Sequence, residues 1–469
     1  MLSESAHIKA KLVAGDKKIP IDAKYTSKYS LLVRFLNGHS FKDGSTFSKL
    51  LLDTQAGNVE LGPCKLLSEP NIDGYAGRLV FTSDVYDLKS LIFGKKIVAL
   101  NSAFFNLPLV LAHKESISRD FKDFTADLNY DLSVYRNTFD RLDAEYSGEP
   151  ANIKEMVQEA IIETQRDNLL SFLNDRQVEL ERIVSDFSEE EHKYHGFYFR
   201  RQLWDIIVAA PFMARTNLKP RGYSGDSEMM RMVYSNDYRG RSTFAKLMHK
   251  YPLEQPGAYA VRNRRKLTAR TLREMREARR TGPQEKLRVL SVACGPAIEM
   301  QDILQTEADC EKYHFTLLDQ DRLALLEAAA FINEIEKSLD AKVTVDYLNK
   351  SVRTMLTTRQ LKVEWGQFDF IYSMGLFDYL TPPVARAVIA KLYQLLKPEG
   401  QMLLGNFHTS SPSRCYMEYW LDWVLYYRSE DEFANLLVNE PSADNRVFFE
   451  DTGVQMFLKV GRRNSSSGP

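Results

Sequence analysis

The run Leu287-Arg-Val-Leu-Ser-Val-Ala-Cys-Gly-Pro-Ala297 reads as one strand and one turn. Arg288–Ala293 is apolar enough for a buried strand, and Cys294-Gly-Pro-Ala297 leads from it into a helix. The same phrase repeats downstream. Phe315–Leu318 is a second strand ending at Asp319, Val343–Val345 a third and Phe368–Ser373 a fourth. A helix from Pro383 to Leu396 follows, closed by Lys397-Pro-Glu-Gly400, and Met402–Gly405 is a fifth strand. Arg446–Phe449 and Val454–Val460 read as an antiparallel pair at one edge. Strands and helices alternating at this spacing predict a parallel, doubly wound, Rossmann-like sheet over residues 286–469.

Upstream, the period changes twice. Residues 1–111 are β-rich, with short apolar runs at Tyr29–Phe35, Phe47–Leu52 and Arg78–Phe81. Asn37-Gly38, Asp43-Gly44 and Gly57-Asn58 supply residues that tolerate positive φ in turns, so a small barrel-like or sandwich domain is expected. Residues 112–215 are helical: Leu169, Phe172 and Leu173, then Leu180, Ile183, Val184 and Phe187, recur at helical spacing. Ser147-Gly-Glu-Pro150 and Glu189-Glu-Glu-His192 interrupt that module. Residues 216–285 are expected as a lid or cap segment, and the stretch 258–288, which overlaps its end, carries eleven Lys or Arg against three Glu. With Leu272 and Met275 turned inward this is a solvated helix, and no interleaved aromatics favour a nucleic-acid groove. Thr281-Gly-Pro-Gln284 ends it. The chain therefore reads as a multidomain α/β protein.

Composition narrows its class. Lys+Arg of 62 against Asp+Glu of 63 leaves a net charge of -1, so no global footprint for nucleic acid exists. The most apolar window, Leu203–Met213, contains Asp205 and Pro211 and is far short of a membrane span of about 20 residues. The first residues, MLSESAHIKAKLVAG, lack the layout of a signal peptide. Cys64, Cys294, Cys310 and Cys415 lie far apart, so neither a disulfide framework nor a zinc knuckle is expected. His192-Lys-Tyr-His195 has helical spacing for a metal pair but no third ligand. A cytoplasmic enzyme acting on a small molecule, with no metal, is the expectation.

In a doubly wound sheet, ligands bind beyond the carboxyl ends of the strands. Gly295 there lets backbone approach a ligand, and Asp319, ending the second strand, can accept hydrogen bonds from both hydroxyls of a ribose. A dinucleotide site would want G-x-G-x-x-G, whereas Ala293-Cys-Gly-Pro-Ala297 holds one glycine. S-adenosylmethionine has no phosphates and needs only the close approach. Over about 286–462 the sequence resembles class I S-adenosylmethionine-dependent methyltransferases. Ser291 stands where an acidic residue is common in them, and Ala293 and Ala297 replace glycines. Other groups must then hold the amino-acid end of the cofactor.

VACGPAIE, SMGLFDYL, GNFHTSSPSRCYMEYWLDWVLYYR and KPRGYSGDSEMMRMVY narrow the resemblance to bacterial methyltransferases of 3-hydroxy fatty-acid methyl ester biosynthesis. The first 110 residues are distantly similar to PilZ-type barrels, without the signatures of cyclic-di-GMP binders, and could serve a regulator or partner. The resemblance implies that Ala293, Cys294, Gly295 and Pro296 line the methionine part and that Asp319 binds the ribose. It places Gln320 and Asp321 near the adenosine, Asn349 and Ser351 by the adenine, and Ser373, Met374 and Gly375 under the site. Gly222 and Gly225 bracket Tyr223 in a loop that, with Arg262 and Arg264, is expected to fold over the cofactor as a lid. Asp226 would meet the ammonium and an arginine the carboxylate.

For the methyl acceptor, Asp378 and His408 are the candidate bases. The aromatic run Tyr416–Arg428 would wall an apolar pocket, with Tyr379, Glu418 and Tyr427 against the substrate. An acceptor carboxylate needs no base but does need a donor, and Arg414 or Arg428 is expected to supply it. The favoured reaction is methyl transfer to the carboxylate of a small, partly apolar acid. The alternatives are N- or O-methylation of a polar metabolite and cofactor binding without turnover.

Overall fold

Alternating side chains explain the first sheet. In a computed structural model, which describes residues 7–27, 30–54, 57–68, 75–82, 86, 88, 114–278, 285–437 and 442–463, Ile8, Ala10 and Leu12 are buried while Lys9 and Lys11 are exposed. The strands are β1 (His7–Ala14), β2 (Lys17–Ser27), β3 (Ser30–Phe35), β4 (Thr46–Phe47), β5 (Lys49–Thr54), β6 (Gly57–Leu61), β7 (Cys64–Leu67) and β8 (Gly77–Phe81). They pair antiparallel in the order β4-β7-β8-β3-β2-β1-β5-β6. Among the described residues β4 and β6 do not pair, so the sheet is not shown to close into the expected barrel. Asn37-Gly38 and Gly44 take the positive φ expected of turns, whereas Gly57 and Asn58 begin a strand.

The chain divides into two compact units, Met1–Ile117 and Ser118–Pro469. In the second, helices Arg119–Glu145 and Ala151–Val184 are followed by Glu189–Gln202, Trp204–Ala209 and Pro211–Leu218. Residues 189–191, expected as an interruption, instead start a helix that Ser188 and Glu191 close with a capping box. Helices Ser227–Ser235, Thr243–Leu253 and Pro256–Ala278 come next. The long Pro256–Ala278 helix turns Leu272 and Met275 inward, and Thr281–Gln284 lie outside the described residues.

Seven strands then build the second sheet: β9 (Leu287–Val292), β10 (Tyr313–Asp319), β11 (Thr344–Asn349), β12 (Phe368–Ser373), β13 (Leu396–Phe407), β14 (Ser442–Phe449) and β15 (Gln455–Arg462). Their order is β11-β10-β9-β12-β13-β15-β14, parallel through β13 and antiparallel at the β15-β14 edge. Residues 397–400, expected as the turn closing a helix, fall within β13, whose pairing with β12 shifts register between Phe368 and Phe370. β9 lies third from the β11 edge between two parallel neighbours, and strand order reverses there, so the loop after β9 opens at the switch point. No helix of the described residues is long and apolar enough to cross a membrane.

Candidate active site

Beyond the carboxyl ends of β9, β10 and β12 lies a cavity of about 530 Å³. Its floor is the loop after β9. Ala293, Gly295 and Ala297 there have φ of 55, 56 and 51°, so two alanines occupy left-handed backbone that normally favours glycine. Nothing lies within 4 Å of where a Gly295 side chain would start, which leaves its face clear for a ligand. Asp319 is 6% exposed; its carboxylate accepts from the Gly295 and Asp321 amides, both at 2.9 Å. Those bonds use two of roughly four lone-pair directions, leaving room for ribose hydroxyls. Burial, with the Asp321 charge beside it, pushes the Asp319 carboxyl up, and the backbone amides of Asp321, Gly295 and Gln320 pull it part of the way back.

Sequence reasoning placed Tyr223, Arg264, Gln320, Met374, Gly375, Asp378 and Tyr379 at the site, and all seven line the cavity with residues 293–296 and Asp319. Arg264 projects from the Pro256–Ala278 helix and is 6% exposed. It donates to the Met374 carbonyl and toward the Met230 sulfur, both at 3.2 Å, while its Nε has no hydrogen-bond partner among the described residues. Asp378 is 3% exposed and accepts from the Phe407 amide at 2.7 Å. Burial lifts its carboxyl to about 6, against the pull of that amide, Arg264 and Arg428. Trp423 donates to the Tyr379 hydroxyl at 2.8 Å, and Gly225 packs so tightly there that a Cβ would come within 2.5 Å of that hydroxyl.

Other expected residues stand elsewhere. Asp226 is fully buried but outside the cavity: Arg215 grips it with both Nε and Nη2, and it caps the Ser227–Ser235 helix. This corrects its expected place at an ammonium group. Asp321 caps the Arg322–Leu339 helix and pairs with Arg221 at 2.9 Å; Arg221 also grips Glu327. Asn349 holds the carbonyls of Asp319 and Gln320, and Ser351 caps the Val352–Thr357 helix, leaving Lys350 and Val352 to line the cavity. Ser373 bonds the Val292 carbonyl, and Arg262 bonds the Val233 carbonyl.

On the acceptor side the corrections are larger. His408 is held by Ser410 and Glu430 away from the cavity. Arg414 is paired with Glu418 on the surface, and the Tyr427 hydroxyl meets the Met417 sulfur. Arg428 is buried but spends its guanidinium on the carbonyls of Phe377 and Leu380 and on Asn406. It therefore braces the turn carrying Asp378 and Tyr379 rather than a substrate. His192 and His195 bond Tyr419 and backbone groups, and no metal cluster occurs among the described residues.

Several lining residues were not anticipated individually. Glu299, the last letter of VACGPAIE, is 1% exposed and accepts from the Tyr372 hydroxyl at 2.8 Å. Helix Arg414–Trp420 contributes Tyr416 and Met417, after which Leu421, Trp423 and Leu425 line the cavity at every second position. Val424 and Tyr426 face out, because the helix ends at Leu421 and Asp422, with a φ of 48°, turns the chain so that the Trp423 amide closes back on the Met417 carbonyl. The Tyr416 hydroxyl is buried without a hydrogen-bond partner among the described residues.

A 3-2-1-4-5-7-6 sheet with a glycine turn after its first strand and an acid ending its second defines a class I S-adenosylmethionine-dependent methyltransferase domain. Residues 289–400 match the family described as a methyltransferase domain. The chain thus carries a methyltransferase whose cofactor is S-adenosylmethionine. No curated protein matches it. Among solved structures it is similar to a "possible exported protein" from Bordetella parapertussis at 15% identity and a TM-score of 0.41, covering 68% of this chain and 98% of that one. Magnesium protoporphyrin IX methyltransferase from Synechocystis PCC 6803 with bound cofactor gives 13%, 0.31, 44% and 83%. N-methyltransferase NodS from Bradyrhizobium japonicum WM9 gives 11%, 0.29, 42% and 96%. These likenesses are too distant to bear on function.

Proposed function

We propose that the protein transfers the methyl group of S-adenosylmethionine to a carboxylate oxygen of a small, partly apolar acid. The residues present fit the cofactor: Asp319 toward the ribose, Gly295 beneath it, and Arg264, whose buried Nε lacks a hydrogen-bond partner among the described residues, toward its carboxylate. When bound, the cofactor supplies an electrophilic methyl group on a sulfonium. The observation that carries the acceptor class is the buried Tyr416 hydroxyl, on a side chain that lines the cavity and without a hydrogen-bond partner among the described residues. Burial holds its phenol well above the ordinary range, so it stays neutral and offers a proton to an accepting group. The Tyr379 hydroxyl, already accepting from Trp423, has its own proton left to donate. Neutral donors orient a carboxylate without quenching it as an ion pair would. These phenols replace Arg414 and Arg428 in the role first assigned to them. The resemblance to 3-hydroxy fatty-acid methyl ester enzymes supports the same acceptor class.

A second reading rests on Asp378. A buried carboxylate titrating near 6 in the cavity could take a proton from a hydroxyl or amine acceptor. Replacing Asp378 by Asn separates the two. With 3-hydroxyoctanoic acid as acceptor, Asp378→Asn is expected to keep turnover within about tenfold. In the wild type, KM for the acid should rise with pH above about 6, as Asp378 ionises beside a like charge, and flatten in the variant. A loss of roughly 10²–10⁴-fold, the usual size of a missing general base, would instead establish the second reading. Octylamine and 1-octanol, followed by release of S-adenosylhomocysteine, are the matched controls.

Tyr416→Phe should move stability and binding in opposite directions. Without ligand, removing an orphaned buried hydroxyl is expected to leave the melting temperature unchanged or higher. With the acid acceptor, loss of a bond to a charged group should raise KM about tenfold or more while kcat changes little. A KM unchanged within twofold would remove Tyr416 from the acceptor site.

The helical module expected over 112–215 and the cap expected over 216–285 are kept as proposals; their described residues from Ser118 on share one compact unit with the second sheet, and Gly222, Tyr223 and Gly225 line the cavity. The β-rich N-terminal unit is proposed to serve a regulator or partner. A reducing, cytoplasmic location agrees with four free cysteines.

A further inference from the structure

Glu299 and Arg264 line one cavity, both buried, with opposite charge. Among the described residues no ion pair joins them. Unpaired charges in low dielectric are each costly, and a ligand carrying an ammonium and a carboxylate on one carbon would relieve both. The Tyr372 hydroxyl, donating to Glu299 Oε1 at 2.8 Å, fixes the carboxylate over β12. Tyr372 sits directly across from Ser291 in the β9–β12 register. The strand that holds a serine is thus served by a carboxylate delivered from the loop beyond it.

We infer that Glu299 binds the α-ammonium of the methionyl end of S-adenosylmethionine, opposite Arg264 at its α-carboxylate. This rests on the cofactor placement proposed above, and not on the nature of the acceptor. Asp226, first expected in this role, is occupied by Arg215.

Burial raises the Glu299 carboxyl to about 7, so ammonium binding should strengthen as pH rises through that value. The groups facing Glu299 are Tyr372 on β12, whose hydroxyl also meets Ser291 on β9, Arg264 and Arg265 on the long helix, Cys294 in the loop and Tyr234 from the Ser227–Ser235 helix. Arg265 is paired with Asp302. The Cys294 thiol and the Tyr234 and Tyr372 phenols are all pushed up, away from neutrality.

Calorimetry with two probes tests the assignment on the full-length protein. S-adenosylhomocysteine carries the amino-acid group; 5′-methylthioadenosine lacks it. Glu299→Gln should weaken the first about 10- to 100-fold and leave the second within twofold. Wild-type affinity for S-adenosylhomocysteine should rise between pH 6 and 8, while that for 5′-methylthioadenosine stays level. Unchanged S-adenosylhomocysteine affinity, or equal weakening of both probes, overturns the assignment. If Glu299→Gln does not fold, a flat wild-type pH series for S-adenosylhomocysteine overturns it alone. Failure of the wild type to bind either probe would instead remove the cofactor placement on which the assignment rests.

Discussion

Arg264→Gln should cost about a hundredfold in affinity for S-adenosylhomocysteine without lowering the stability of the free protein. The guanidinium is buried, makes two long hydrogen bonds, and has an Nε without a hydrogen-bond partner among the described residues. In the free state that arrangement is poor, since a buried charge without a carboxylate partner is costly. In the bound state the planar fork can take both oxygens of a carboxylate, each such bond being worth about 1.5–3 kcal/mol. Two bonds correspond to at least a hundredfold. Arg264→Lys should fall between wild type and Gln, because an ammonium keeps the charge and loses the fork. Gly375 reports on the same fit: a Cβ there would lie 3.3 Å from Arg264 Nη1, so Gly375→Ala should displace the guanidinium and mimic part of the loss. Equal affinities for the Lys, Gln and native proteins by calorimetry would rule Arg264 out.

The sheet was legible because its signals are local. An apolar run the length of a strand, a glycine, and an acid some two dozen residues on need no partner to be read, and β9, Gly295 and Asp319 sit together as those signals imply. Site residues carried on turns were harder. Asp226, Arg428 and His408 have suitable chemistry, but each is consumed by a neighbour distant in sequence or across a turn: Arg215, the Phe377 and Leu380 carbonyls, and Glu430. Availability is a property of packing, and residue type does not encode it. The run 416–428 shows a second limit. Aromatic density marked it as a wall, yet the helix stops at Leu421, Asp422 turns the chain with a φ of 48°, and it is this turn and the irregular stretch after it that put Trp423 and Leu425 inside with Val424 and Tyr426 outside. Glu299 was in plain view at the end of VACGPAIE. Its value depends on Tyr372 arriving from β12, a contact spanning 73 residues.

Asp226→Ala is expected to be the most destabilising of these substitutions, and its consequence for the cofactor is indirect. The carboxylate is fully buried, takes a forked grip from Arg215 at 2.7–3.0 Å, and accepts from the Met229 amide to start a helix. Removing it leaves the guanidinium without its charge partner, a loss of about 3–5 kcal/mol for buried pairs, moderated by the partial exposure of Arg215, and about 1 kcal/mol more from the lost cap. Thermal melting should fall, and hydrogen exchange should quicken first across 219–235, the stretch the pair holds closed. Because Tyr223, Gly225 and Ser227 line the cavity, cofactor affinity will fall as well. That loss alone would look the same for a ligand and for a brace. The double variant Arg215→Met, Asp226→Leu separates them. An apolar pair of similar volume can replace a buried ion pair at little cost, so fold and affinity should recover together if Asp226 acts only through the loop. A double variant that regains native melting and still binds S-adenosylhomocysteine as weakly as Asp226→Ala would return Asp226 to the cofactor site. It would also displace Glu299 from the ammonium, since one buried carboxylate is enough for one charge.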